Sequence, residues 1–161
     1  MWHPPIALTL EEQKIAARTR KARKFLVFLR ERRHELLDAT FQDTLAETYR
    51  AEPGGKEPVE AGMLALATLL QAYCHVGDRD AVELTVMDKR WQMVLDCLGA
   101  EQPPFSQGTL WNFRMRLIAH NLGCQAFLAE NLLCALQPLT LLSFRQWMIK
   151  KGVSNRPYFG L

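Results

Sequence analysis

Between Thr9 and Glu52 the chain contains neither glycine nor proline, and along most of its length apolar residues recur at helical spacing. That period puts apolar side chains on one face of a helix, whereas a half-buried strand needs alternation, which no run shows. The fold class that follows is all-α: a compact multi-helix domain with a long basic N-terminal helix and a helix-turn-helix-like unit. Hydrophobic residues make up 48% of the 161 residues and charged ones 23%, enough for a core and too balanced for wholesale disorder. No apolar run reaches the ~18 residues of a membrane span. Met1-Trp2-His3-Pro4-Pro5 lacks the charged-then-apolar layout of a signal peptide. The expectation is a cytoplasmic protein without a membrane partner.

The chain divides at its breakers. Thr9 and Glu12 have capping-box spacing, which predicts a helix start. The stretch to Glu52 is long for one helix, so a break is expected near Asp38–Thr40, with Phe25, Leu29, Leu36, Leu37, Phe41 and Leu45 as the apolar stripe. Glu52-Pro53-Gly54-Gly55-Lys56-Glu57-Pro58 reads as a connector. Pro58 suits the start of the next helix, which reaches about Cys74 and is apolar almost all round, as a central helix would be. Gly77 then ends the turn and Asp78 caps a helix over Arg79–Met87. A short helix at Trp91–Leu98 stops at Gly99, and Ser106 caps a helix running to about His120. Beyond Gly123, helical patterns cover Cys124–Leu136 and Leu141–Lys151, with a loose end from Gly152. Three regions are expected: 1–52, 58–123 and 124–161.

Charge is segregated. Residues 1–34 carry nine Lys/Arg against three acids, residues 35–101 five against thirteen, and residues 102–161 six against one. Two basic ends around an acidic middle suggest a polyanion touched at separate places. The densest cluster is Lys14, Arg18, Arg20, Lys21, Arg23, Lys24, Arg30, Arg32 and Arg33, with only Glu31 between its ends. Such a helix neutralises phosphates and releases counterions. A merely solvated face and a membrane-surface helix are the alternatives.

On the helix after Ser106, Leu110, Phe113 and Leu117 share one face, Thr109, Asn112 and Arg116 lie largely opposite, and Arg114 sits near the apolar edge, a position that suits a structural role. Paired with Trp91–Leu98, it forms a helix-turn-helix-like unit, though with a loop longer than the usual ~3–4 residues. In such a unit Asn112 suits adenine, Arg116 suits guanine or phosphate, and the N-terminus at Ser106 and Gln107 suits a phosphate. An ordinary amphipathic helix with a solvated face is the competing reading. Trp91 is expected in the core, and Trp111 lies at the margin of the recognition face.

Catalytic and metal patterns are thin. Cys74, Cys97, Cys124 and Cys134 make no C-x-x-C pair, and the histidines add no ligand spacing, so buried reduced thiols are expected rather than a zinc site. Asp78-Arg79-Asp80 reads as a capped helix start with a local Arg–Asp pair rather than a metal site. No Ser-His-Asp, Cys-His or phosphate-loop pattern occurs.

The order Pro58-Val-Glu-Ala, Leu69-Leu-Gln-Ala-Tyr73, Gly77-Asp-Arg-Asp-Ala81, Lys89-Arg-Trp91, Leu98-Gly99 and Ser106-Gln-Gly-Thr-Leu-Trp-Asn-Phe-Arg-Met-Arg-Leu117 resembles the N-terminal helical domain of bacterial insertion-sequence transposases of the DDE type. The resemblance runs from about Phe28 to Leu122. It implies a domain that handles double-stranded DNA, with Arg18, Arg20, Lys21, Arg23, Lys24, Ser106, Gln107, Thr109, Asn112, Arg114 and Arg116 as candidate contacts, and a homo-oligomer or full-length transposase as further partners. In that family the divalent metal, such as Mg, belongs to a catalytic domain that follows, built on a ribonuclease-H-like sheet. After Glu101 this chain holds a single acid, Glu130, and shows no βαβ alternation. No catalytic residue is therefore carried over, no cofactor is expected in this chain, and the chain alone should not cut DNA. The segment from Cys124 departs from the family pattern, which suggests a truncated or frameshifted element. A helical interaction module and a non-functional relic are the other classes compatible with the sequence.

Overall fold

In the computed structural model the described residues are 1–48 and 59–119, and they form seven α-helices and no strand. Helix α1 (Leu10–Arg18) begins as the capping box requires: Thr9 Oγ1 accepts the Glu12 N–H at 3.2 Å, and the Thr9 N–H donates to Glu12 Oε2 at 2.7 Å. The expected break near Asp38 separates α2 (Lys24–Leu36) from α3 (Ala39–Thr48), and Asp38 Oδ1 caps α3 by accepting the Phe41 N–H at 2.8 Å. A second interruption was not legible in the spacing. The Thr19 hydroxyl donates back to the Ile15 carbonyl at 2.7 Å, Arg20 is extended, and Lys21–Arg23 form one 3-10 turn. The basic stretch is thus carried by two helices joined at a turn. The turn lets α2 bury Phe25–Leu29 while α1 keeps its cations outside.

Helix α4 (Ala61–Cys74) is the central element, buried from Leu64 to Gln71 and at Gly62. A Cβ on Gly62 would lie 3.3 Å from the Trp2 ring and 3.4 Å from Leu37, so the bare backbone is what admits Trp2. The chain leaves α4 through His75 in the left-handed region (φ 54°), with the Val76 N–H returning to the Gln71 carbonyl at 3.2 Å. Gly77 is instead extended and is the N-cap of α5 (Asp78–Met87); Asp78 is already helical and its carboxylate is used elsewhere. Asp88 ends α5 and caps α6 (Lys89–Leu95), accepting the Arg90 N–H at 2.8 Å. Helix α6 stops at Asp96, left-handed at φ 59°, earlier than the expected Gly99. Gln92 then ties down the following turn through the Val86 and Ala100 carbonyls and the Gly99 N–H. Helix α7 (Gln107–Ala119) buries Leu110, Phe113 and Leu117, as the spacing predicts.

One core joins α2 and α3 to α4–α7, with Leu29, Leu45, Leu64, Leu70, Trp91, Leu95, Leu110 and Phe113 at its centre. Trp91 is a core residue, as expected. Cys74 and Cys97 are free thiols but only half-buried. No described helix is long and apolar enough to cross a membrane. The Pro58 helix start, Cys124, Cys134 and the patterns after Gly123 lie outside the described residues.

Candidate nucleic-acid interface

The basic cluster separates into two chemical populations. Lys14, Arg18, Arg20, Lys21 and Arg23 are exposed, and no acid intervenes between Glu12 and Glu31. Arg30 and Arg33 are not part of that surface: each is 1% exposed. Arg30 donates to both Glu12 carboxylate oxygens and to the Ile6 and Ala7 carbonyls. Arg33 donates to the Met93, Val94 and Pro5 carbonyls and to Asp96, and lies 5.4 Å over the Trp2 ring. Burial and the nearby Arg30 charge lower the Arg33 pKa against the opposing pull of Asp96. Arg32 stays exposed and pairs with Glu35 at 2.5 Å.

Two members of the cluster brace the turn. The half-buried Lys24 Nζ donates to the Ala16 carbonyl at 2.7 Å, satisfying an acceptor in the last turn of α1. Arg23 reaches Cys74 Sγ at 3.5 Å, which sets the cationic turn beside the C-terminal end of α4. Helix α1 is held to the body also by Lys89, whose amine lies 2.9 Å from Glu11.

At α7 the Ser106 hydroxyl accepts the Thr109 N–H at 3.1 Å and contacts Thr109 Oγ1 at 2.9 Å, so Ser106 is the N-cap. Gln107 and Asn112 are exposed, and Thr109 and Arg116 are half-buried. Arg114 reaches inward: its guanidinium donates to both carboxylate oxygens of Asp78 and to Gln71 Oε1 at 2.8 Å. The Arg114 bond, joined by one from Gln71, holds the Asp78 carboxyl below its ordinary range despite partial burial. This knot replaces the local Asp–Arg79 pair expected at the start of α5, and it joins α4, α5 and α7. The sequence placed Arg114 near the apolar edge, as its inward role requires, but nothing marked its partners, because Gln71 and Asp78 stand 43 and 36 residues from it.

Helix α7 packs principally on α4 and α5 rather than on α6, from which residues 96–106 separate it. The α6–α7 pairing expected for a helix-turn-helix is therefore not the main packing of this helix. Among the described residues no three His, Cys, Asp or Glu side chains converge on a point.

The transposase domain family DUF772 matches residues 12–116, well over half of the chain. No curated protein and no solved structure matches significantly. The family match runs from Glu12 in α1 through most of α7, including the exposed cations and the Arg114 knot, and the chain belongs to this transposase-domain family.

Proposed function

We propose that this domain binds double-stranded DNA in transposition and recognises the ends of its own insertion sequence. The observation that carries the reading is the run of exposed cations on α1 and the following turn, free of acids from Glu12 to Glu31, within a transposase-family domain. Arg18, Arg20, Lys21 and Arg23 meet phosphates; Lys24 supports them by holding the turn. Ser106, Gln107, Thr109, Asn112 and Arg116 line the N-terminal and polar side of α7, where Asn112 has the two-point hydrogen bonding that reads adenine. Arg114 serves that side from beneath, by fixing α7 on Asp78. The strand-cleaving chemistry, with its divalent metal, falls to a separate catalytic domain, and full-length transposase or a second copy is the natural partner at the DNA end.

The test is fluorescence anisotropy on the element's terminal duplex against a shuffled duplex, across a salt series. Preference for the terminal duplex that persists at about 150 mM salt is expected. Neutralising Arg18, Arg20, Lys21 and Arg23 to Gln should flatten the log–log salt slope by about 0.9 for each lost phosphate contact. Asn112→Ala should reduce preference for the terminal duplex while leaving affinity for the shuffled one intact. No binding at low salt would remove the DNA reading and leave a protein-interaction module.

A further inference from the structure

Residues 1–8 lie on the body as a bound peptide would. Among the described residues, their main-chain hydrogen bonds run to side chains rather than to other main chain. Gln42 makes a two-point clamp: its Oε1 accepts the Trp2 N–H at 2.7 Å, and its Nε2 donates to the Trp2 carbonyl at 2.9 Å. Farther along, Arg33 donates to the Pro5 carbonyl at 3.2 Å, and Arg30 to the Ile6 and Ala7 carbonyls at 3.2 and 3.0 Å. One side chain goes inside. Trp2 is buried, whereas Met1, His3, Pro5, Ile6 and Ala7 are exposed. The Trp2 ring fills the hollow that Gly62 leaves by lacking a Cβ, and the Arg33 guanidinium lies 5.4 Å from its centroid. Arg33 Nε is buried without a hydrogen-bond partner, so the ring over this guanidinium is the group that offsets its burial.

Main-chain bonds for affinity and a pocket for one side chain are the two parts of extended-peptide recognition. Pro4 and Pro5 add stiffness, since proline fixes its own φ and keeps the residue before it extended. Removing the segment strands no charge. Arg30 keeps both Glu12 oxygens, and Arg33 keeps Asp96 and the Met93 and Val94 carbonyls. Helix α1 keeps its own ties through Glu12 to Arg30 and Glu11 to Lys89.

We propose that Gln42, Arg33 and the Gly62 hollow form a recognition site for a tryptophan in an extended chain, with residues 1–8 as its exchangeable occupant. The segment lifts out while α1–α7 stay folded. An extended peptide of the same chemistry, a tryptophan with prolines two and three residues on, then takes its place.

The experiment is fluorescence anisotropy of the peptide of residues 1–8, dye-labelled at its C-terminus, against the full chain carrying Trp2→Ala. Saturable binding is expected, weakened by more than about tenfold when the peptide itself carries Trp2→Ala, as for a buried aromatic anchor. Adding Gly62→Val to the chain fills the hollow and should weaken binding likewise. In the native chain the tethered segment competes at an effective concentration of about a millimolar, which should push the midpoint for the free peptide to that range. No saturable binding to the folded Trp2→Ala chain, equal binding of the two peptides, or an equal midpoint in the native chain would each overturn the proposal. Hydrogen exchange of the native chain, read by NMR, decides the case in which Trp2→Ala does not fold. The Trp2 amide should exchange more than about tenfold faster than the amides of Leu64–Leu70 and with little dependence on urea, as a local opening does. Exchange of Trp2 only together with α4 means that the segment leaves by global unfolding and the proposal is wrong. None of these measurements involves DNA, so the outcome is separate from that of the DNA reading.

Discussion

Arg30 and Glu12 form a two-pronged ion pair in the interior, Nε to Oε1 at 2.5 Å and a terminal nitrogen to Oε2 at 2.9 Å, with side chains 1% and 3% exposed. The same guanidinium holds the Ile6 and Ala7 carbonyls, and the same carboxylate closes the capping box with Thr9. One buried contact thus decides where α1 starts, how the preceding strap lies, and how the exposed cations of α1 are presented. A buried pair of this kind gives little net stability over apolar residues of similar volume, but removing one partner strands the other charge.

Glu12→Ala is therefore expected to destabilise the protein by about 3–5 kcal/mol, read from urea denaturation. The joint replacement Glu12→Leu/Arg30→Met should recover a substantial part, the remainder being the lost grip on the Ile6 and Ala7 carbonyls. A loss below about 1 kcal/mol for Glu12→Ala would mean that Arg30 regains water and that the pair does not anchor α1.

Acid should unfold the protein through its paired carboxylates. Burial pushes Glu12 up, but the bonds from Arg30 and Thr9 outweigh it and hold its pKa below the ordinary 4.5. Asp88 is likewise raised by burial and lowered further by Arg90, ending below 3.8, and Asp78 is lowered by Arg114. Groups depressed on folding bind fewer protons in the native state, so their contribution is complete above the ordinary values and is lost as pH falls through the folded ones. Urea midpoints are expected to be flat from pH 7 to about 5 and to fall below about pH 4. Asp78→Asn should make that fall shallower; an unchanged slope would show that Asp78 titrates normally.

Arg114→Met should loosen α7 from α4 and α5. The substitution keeps much of the side chain's length but removes the charged bonds to Asp78 and Gln71, with a cost of about 2 kcal/mol. Hydrogen exchange over residues 107–119 should accelerate while α2 remains protected. Uniform acceleration throughout the chain would instead mean that the knot supports the whole core.

Cys97 should resist alkylation. Burial first, and the neighbouring Asp96 charge second, push its thiol up to about 11, so at pH 8 the reactive thiolate is about one part in a thousand. Iodoacetamide labelling followed by peptide mass analysis should find Cys97 at least tenfold slower in the folded chain than in urea. Equal rates would show that the site is open to water.

Local chemistry was legible along the chain. The Thr9–Glu12 box, the Asp38 break, the Ser106 cap and the inward face Leu110–Phe113–Leu117 each depend on residues within a few positions of one another, and each lies where the spacing puts it. The apolar run at 64–70 was enough to identify a central helix, because a helix apolar all round has to be buried. Helices α4 and α5 end at Cys74 and Met87 as the spacing predicts, but the residues that stop α4 and α6 were less legible, since His75 and Asp96, rather than Gly77 and Gly99, follow those helices in the left-handed conformation more often given to glycine.

Charge was where sequence and structure parted. Arg18 and Arg33 carry the same guanidinium on neighbouring segments of one basic run, yet Arg18 is exposed and Arg33 is 1% exposed against Trp2 and Asp96. By itself the sequence determined the all-helical class, most of the caps and the face that each helix buries, because helix periodicity and capping are interactions over three or four residues. Only the tertiary structure decided which cations face solvent and which hold the interior together. That choice rests on carboxylates and carbonyls brought from 18 to 63 residues away, and a buried charge is tolerated only where such partners have been assembled around it.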